Sequence, residues 1–474
     1  MMASLFLLGA RHRAIVASVV VVVTLLTALG LADLKIDTSF DSLIPEDDPG
    51  RLMYRKVMGE FGSDNKTIIY IGDDELWTTD KLSRLESLHT GLKRLDHVRR
   101  VDSLFTLRTI EGDTLDGLPS VSVQALISGV PTTQLLVDEI KRRALDNPLY
   151  IGNLFSSDGD ATAMIVTMAE SPEDIDFNPA LYAGIEALLA EQTGGFDKLF
   201  QVGPPRINEE LRSSISEDLK ILGPLSAIVL ILSILLFMRS GLAALIPLVT
   251  SALTIVWTFG MLGWTGVPLN LLSAMIPSLI IVIGSTEDTH MIAAFLRGLA
   301  NPDQSGLEVI ESNPKHRAIA YMALHTGLPL ILTVMTTALG FASNLFSSIG
   351  LIQNFAIAST FAIVANGVIT IVVVPLLLSQ FGLLGLSAEQ AAEKVYGNSF
   401  SNRIIALFRV FQDKFPLITL AVTAMLCAFF TYHASKLYMT NDPLSYFPEE
   451  RSLIQETQLI HDELAGIKVF FVSL

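Results

Sequence analysis

Seven times this chain stays apolar for long enough to cross a bilayer, and that alternation limits its folds more than anything else in it. The runs are Ala14–Leu31, Ile221–Phe237, Leu242–Leu262, Leu271–Leu296, Ala318–Leu345, Ile352–Leu378 and Pro416–Phe430. A hydrocarbon core about 30 Å thick takes roughly 20 helical residues. Inside it every backbone N–H and C=O must find a partner within the protein, so such runs predict helices. Half of the 474 residues are hydrophobic, and the mean hydropathy is +0.51. Both values suit a polytopic membrane protein. Arg11 and Arg13, Arg239, then Arg297, Lys315 and Arg317, then Lys394, Arg403, Arg409 and Lys414 fall in alternate connections. That parity predicts a cytoplasmic N-terminus and puts the long polar segment on the far side. The alternative for the first run is a cleaved signal peptide, with Ala28-Leu29-Gly30 as its cleavage site. The run is long for a signal core, which favours an uncleaved first helix.

The polar segment, residues 33–220, reads as an inserted α+β domain. Its predicted helices cover Arg51–Phe61, the leucine-patterned stretch Leu82–Leu95 with Asp80 as cap, and Pro179–Leu189. Strand-like runs are Thr67–Ile71, Val98–Val101, Tyr150–Phe155, Ala161–Met168 and Phe200–Val202, with Ser157-Asp158-Gly159-Asp160 as a hairpin signal. The order implies a split β-α-β, ferredoxin-like arrangement. Leu104–Asn147 reads as mostly helical. His89 and His97 read as solvated. The net charge of −16 argues against a nucleic-acid partner, which needs a basic patch. The single cysteine, Cys427, lies in an apolar run, so this domain has no disulfide. It holds no nucleotide loop, zinc-ligand spacing or nucleophile elbow. An enzyme, a metal site and a cofactor are therefore not expected.

Chemistry is concentrated in the fourth apolar run. Ser278–Phe295 carries Glu287, Asp288 and His290 at its middle. A carboxylate inside a bilayer costs about 2.5–3.5 kcal/mol even on the mild insertion scale. Two of them beside a histidine predict a proton or ion relay. Asp288 ranks first, then Glu287, with His290 at similar depth. Thr333, Thr336 and Thr337 in the fifth run are candidate hydroxyl partners, or else small packing residues. His325 and Asn366 are not expected to act as ligands. The alternative is that the acids sit at a watery helix end.

The tail repeats the beginning. Leu34–Pro49 and Leu437–Ser452 align at an offset of about 403 residues, with Ser42, Pro45 and Glu46 falling on Ser445, Pro448 and Glu449. Each copy follows an apolar run. Each precedes a helix-like stretch, a glycine (Gly62, Gly466) and a hydrophobic strand (Thr67–Ile71, Lys468–Val472). The expected layout is a first transmembrane helix at 14–32, the extracytoplasmic domain at 33–220 and a five-helix cluster at 221–380. A cytoplasmic linker at 381–415, a seventh helix at 416–436 and the start of a second extracytoplasmic domain at 437–474 follow. A truncated product or fragment is the expectation from that layout.

This plan resembles the resistance-nodulation-division transporters, and within them the MMPL or predicted lipid-exporter branch. The resemblance covers nearly the whole chain. It is carried by Phe40–Pro49, Glu60-Phe61-Gly62-Ser63-Asp64, Asp218, Phe237-Met238-Arg239-Ser240, Pro268-Leu269-Asn270, Gly284–His290 and Thr333–Phe341. It implies a bacterial inner-membrane exporter that uses proton-motive force to move lipids or other hydrophobic molecules. The implied proton carrier is an acid in the fourth span, and a second repeat or homo-oligomer completes the transporter. A proton crossing the membrane potential yields about 2.3 kcal/mol per 100 mV. Aligning Gly284 and His290 with the pattern Gly-x-Asp-Tyr-x-x-His of related exporters puts Thr286 at the aspartate position. Glu287 and Asp288 then lie about 100° and 200° further round the helix. A non-pumping lipid or sterol sensor and an inactive half-transporter are the alternatives.

Overall fold

The computed structural model describes residues 2–39, 44–45, 48–61, 65–115, 118–148, 150–169, 176–238, 240–300, 313–382, 390, 392, 400–438 and 443–464. The chain divides into two compact units. One comprises Met1–Asp37 and Ser214–Met439, the other Thr38–Ser213 and Thr440–Leu474.

The first unit is helical. It holds α1 (Met2–Arg11), α2 (Arg13–Gly30), the membrane part of α7 (Pro204–Met238), α8 (Gly241–Thr265), α9 (Ile276–Ala300), α10 (Pro314–Ala342), α11 (Gly350–Phe381), α12 (Phe400–Lys414) and α13 (Pro416–Ala434). Among the described residues, seven of the chain's helices are long and apolar enough to cross a membrane: α2, α7, α8, α9, α10, α11 and α13. They are not equally buried. The spans in α9 and α11 are the most enclosed, whereas those in α2, α7 and α13 have few fully buried residues. Two glycines set the closest approach. A Cβ on Gly260 would fall 1.9 Å from Thr27 O, and one on Gly263 would fall 1.8 Å from Gly30 O, so α2 and α8 meet backbone to backbone.

The structure adds elements that hydropathy does not show. Met2–Arg11 is a helix whose Phe6, Leu7 and Ala10 are buried, packed against α10 and α11. It precedes the first apolar run, so a search for bilayer-length runs passes over it. The fourth run divides into a short 3-10 turn, Leu271–Met275, and then α9. Asn270 accepts from the Ser273 N–H at 3.1 Å and starts that turn.

The second unit is built on a four-stranded antiparallel sheet. Its strands are β1 (Lys66–Gly72), β2 (Val98–Asp102), β5 (Ala161–Met168) and β6 (Lys198–Val202), in the spatial order β2-β5-β1-β6. Central β1 pairs with β5 and β6 and is buried along nearly its whole length. Helices α3 (Pro49–Phe61), α4 (Thr79–Lys93) and α6 (Phe177–Glu191) belong to this unit. Leu82, Leu85, Leu88 and Leu92 of α4 all face the core, as their three- and four-residue spacing requires. The helix of the tail, α14 (Ser452–Glu463), also belongs here and buries Leu453 and Ile460 in the same core. Arg206 donates to Glu456 and, at 3.1 Å, to Ser452 Oγ. Tyr70, stacked on Phe200 with ring centroids 4.8 Å apart, donates its hydroxyl to Glu463. Burial, and then that carboxylate, raise the Tyr70 pKa.

Four readings of this segment are corrected. Leu104–Asn147 is not mostly helical: Arg108–Leu115 and Leu118–Ala125 form a hairpin, β3 and β4, before α5 (Gln134–Leu145). Alternating Val121 and Val123 and the Asp116-Gly117 dipeptide are its sequence signals. The α4 cap is Thr78, which accepts from Lys81 N at 3.4 Å. Asp80 lies inside the first turn and pairs with Arg84 at 2.9 Å. Tyr150–Phe155 makes isolated bridges rather than a strand. His89 is buried, not solvated, with Nδ1 2.9 Å from Ser103 Oγ. Burial, then Lys93, lower its pKa. In the proposed repeat, Ser42, Glu46, Gly62, Gly466 and Lys468–Val472 lie outside the described residues.

Candidate functional site

The polar side chains of the helical unit gather where α8, α9 and α11 meet. Along α8, Thr250, Thr254 and Thr258 recur every four residues, which places them on one face, and all three are fully buried. Along α11, Ser359, Asn366 and Thr370 are buried at spacings of seven and four. From α9 come Glu287, 6% exposed, and Asp288, 0% exposed. These two are the titratable side chains among the buried polar residues of this unit that the structure describes.

Asp288 is held on both sides. Thr250 Oγ1 donates to one carboxylate oxygen, and Thr370 Oγ1 donates to the other at 2.9 Å. Glu287 is held on one side only. Asn366 Nδ2 donates to Glu287 Oε2 at 3.1 Å, while Glu287 Oε1 is buried without a partner among the described residues. Thr254 Oγ1 lies 3.3 Å from Asn366 Oδ1 and links the amide back to α8. Gly284 makes room for this contact. A Cβ there would lie 2.5 Å from Asn366 Oδ1, so only glycine admits the amide so close to α9. Among the described residues no lysine, arginine or histidine forms an ion pair with either acid.

The helical turn explains why both acids face inward, since Gly284, Glu287 and Asp288 lie three and four residues apart. Gly284, Asp288, Met291 and Phe295 share the buried face of α9. Thr286, the position aligned with an aspartate in related exporters, is exposed and returns its hydroxyl to Val282 O at 2.9 Å. His290 shares that exposed face, so the structure does not bring it to the two acids. Nor does it bring the α10 threonines there. Thr333 and Thr336 are exposed and Thr337 is half-buried. The Thr336 hydroxyl bonds Leu332 O at 2.8 Å on its own helix. The hydroxyl partners come from α8 and α11 instead. Thr250, Thr254 and Thr258 recur every four residues inside an apolar run, but Thr333 and Thr337 share that spacing, so it does not single them out. Asn366, which the sequence reading set aside, sits four residues from Thr370 and shares its face.

Beside this cluster lies an apolar cavity of about 320 Å³. Leu230 of α7, Leu248, Ser251 and Phe259 of α8, and Ile281 of α9 contribute to its wall.

A multi-pass membrane protein with buried acids in its helical bundle is the class that these features define. The family model for MMPL matches residues 51–290, half of the chain, and the chain belongs to the MMPL family. The Patched SSD model matches residues 221–379, which include α8, α9, α10 and most of α11. A chain of Methanocaldococcus jannaschii that is named as a membrane protein, MJ1562, is 20% identical over 373 residues. The match covers 76% of this chain and 88% of that one.

Proposed function

We propose that this protein is a proton-motive-force-driven exporter of lipids or other hydrophobic molecules. It sits in a bacterial inner membrane with its N-terminus in the cytoplasm and the sheet unit outside. One observation carries the reading: Asp288 is fully buried in a bilayer-length helix and is held by two hydroxyls from facing helices, with no cation among the described residues. A charge in such a place is costly, and a proton is the simplest way to remove it. Neutralising the acid changes what Thr250 and Thr370 can donate to, which tilts one packing of α8, α9 and α11 against another. Glu287 and Asn366 extend the same seam. Binding protons and a hydrophobic cargo needs no cofactor, no metal and no enzymatic step. The sheet order β2-β5-β1-β6, with β1 and β2 separated by β5, supports a ferredoxin-like outer domain. A second repeat or a homo-oligomer would complete the relay.

The test is efflux of a hydrophobic fluorescent dye from energised cells. The double variant Asp288→Asn, Glu287→Gln is expected to leave dye inside, as cells lacking the protein do. Undiminished proton-dependent efflux would sink the proposal. The Patched SSD match supports a second reading, a lipid sensor that does not pump. It predicts saturable lipid binding without proton flux, unchanged in the double variant.

A further inference from the structure

We infer that α12 lies in the membrane surface, with Leu407, Phe408 and Phe411 at the acyl boundary and its cations among anionic lipid headgroups. Only the span in α13 is needed for this, not the export reading. α12 ends at Lys414, and the span begins at Pro416. A single residue therefore ties α12 to the edge of the bilayer. That residue, Phe415, is not helical, with φ −132° and ψ 54°, and a following proline disfavours helix there. The chain bends at this point, so α12 does not prolong α13 into water as one straight rod. Leu407 and Phe411 are four residues apart and Phe408 lies three before Phe411, so all three share a face. They are 70%, 48% and 70% exposed in that order. Phe411 continues to Phe415, with ring centroids 5.6 Å apart. α12 also carries Arg403, Arg409 and Lys414 against one acid, Asp413, in a chain whose net charge is −16. An aromatic, apolar face on a cationic helix at this place suits an interfacial lipid anchor, and anionic headgroups attract its cations.

The N-terminal repeat offers another occupant, a groove between helices, and argues against it. His12, 403 residues before Phe415, joins α1 to α2 in nearly the same conformation, φ −113° and ψ 48°. From that bend α1 packs on α10 and α11. It buries Phe6, Leu7 and Ala10, and at Gly9 a Cβ would fall 2.5 Å from Val372 O. At the same offset α12 has Arg409, Val410 and Asp413, with Gln412 in place of the glycine. Arg409 and Asp413 are exposed and lie 3.9 Å apart. An ion pair thus stands where α1 buries apolar side chains, and a long amide stands where α1 lets backbones touch. α12 cannot enter a helical groove as α1 does. Its Phe411 falls instead at the position of Leu8, which α1 leaves 48% exposed.

The experiment is spin labelling of the full chain in nanodiscs of phosphatidylcholine and phosphatidylglycerol. Cys427, the single cysteine, is replaced by alanine. Phe408→Cys, Arg409→Cys, Phe411→Cys and Asp413→Cys are then labelled one at a time. Oxygen concentrates in lipid, and a nickel chelate stays in water. Oxygen should relax the labels at 408 and 411 more than nickel does, with the reverse at 409 and 413. Leaving out phosphatidylglycerol should shift 408 and 411 toward water, and Lys414→Gln should shrink that shift. Nickel dominating at all four positions puts the face in water and overturns the inference. Low access of both reagents at 408 and 411 means that protein covers the face, whether a second copy or another bundle, and overturns it too. An unchanged depth without phosphatidylglycerol overturns the part given to the cations.

Discussion

In the sheet unit, buried charges have opposite partners. Asp73, 6% exposed, faces Lys81, which also donates to Gly195 O at 2.7 Å. Arg206, 8% exposed, faces Glu456. In the helical unit, Asp288 and Glu287 are as deeply buried and, among the described residues, have two hydroxyls and an amide as partners. An acid paired with a lysine or arginine has its charge balanced permanently, so it serves architecture. An acid held by neutral donors keeps its charge only while those donors offset desolvation, and a proton can replace them. The two units thus place the same side-chain types in two environments, one that balances their charge with a cation and one that offers neutral donors.

The largest change should follow from unpairing an acid in the sheet unit. Arg206→Ala leaves Glu456 without its cation and frees Ser452 and α14 from their anchor. It should cost about 3 kcal/mol, the low end for breaking a largely buried pair. Chemical denaturation of the isolated protein would show it, and a wild-type midpoint would mean that Leu453, Ile460 and the Tyr70–Glu463 bond hold α14 without Arg206. In the helical unit, Gly284→Ala should displace Asn366 from Glu287 and cost about 1–3 kcal/mol through overpacking. Lower thermal stability in detergent together with weakened dye efflux is the expected pair of results. Thr370→Val keeps the shape and removes one bond to Asp288. It should change stability by about 1 kcal/mol, with a clear loss of efflux. Thr336→Val on the exposed face of α10 should change neither measurement.

A smaller effect than that of Thr370 belongs to His89. Burial lowers its folded pKa below the 6.5 of an exposed histidine. The unfolded chain then binds the proton first, so the sheet unit is fully stable above about that pH and loses stability as pH falls through it. His89→Gln should flatten this decline in an acid denaturation series. An unchanged slope would show that another group sets it.

Hydropathy and charge announced the seven apolar helices, because lipid leaves the backbone no alternative to helix. The acids on α9 were equally legible, since a carboxylate in an apolar run is conspicuous in any register. Their partners were not. Thr250 and Thr370 are ordinary residues in apolar runs, and only the packing of α8 and α11 on α9 distinguishes them from Thr333 and Thr336. The same holds for α1, whose ten residues fall short of a span, and for β3 and β4, whose alternation is confined to Val121, Val123 and Ala125. Local pattern fixes which helices form, and the choice of neighbouring face decides the site.

The most direct measurement is proton movement in proteoliposomes under an imposed pH gradient, read by a trapped pH dye with a hydrophobic substrate present. Wild-type protein should dissipate the gradient in a substrate-dependent way. Asp288→Asn should leave the gradient as it stands in protein-free vesicles. Substrate-dependent proton flux through Asp288→Asn at the wild-type rate would contradict the central role of that carboxyl.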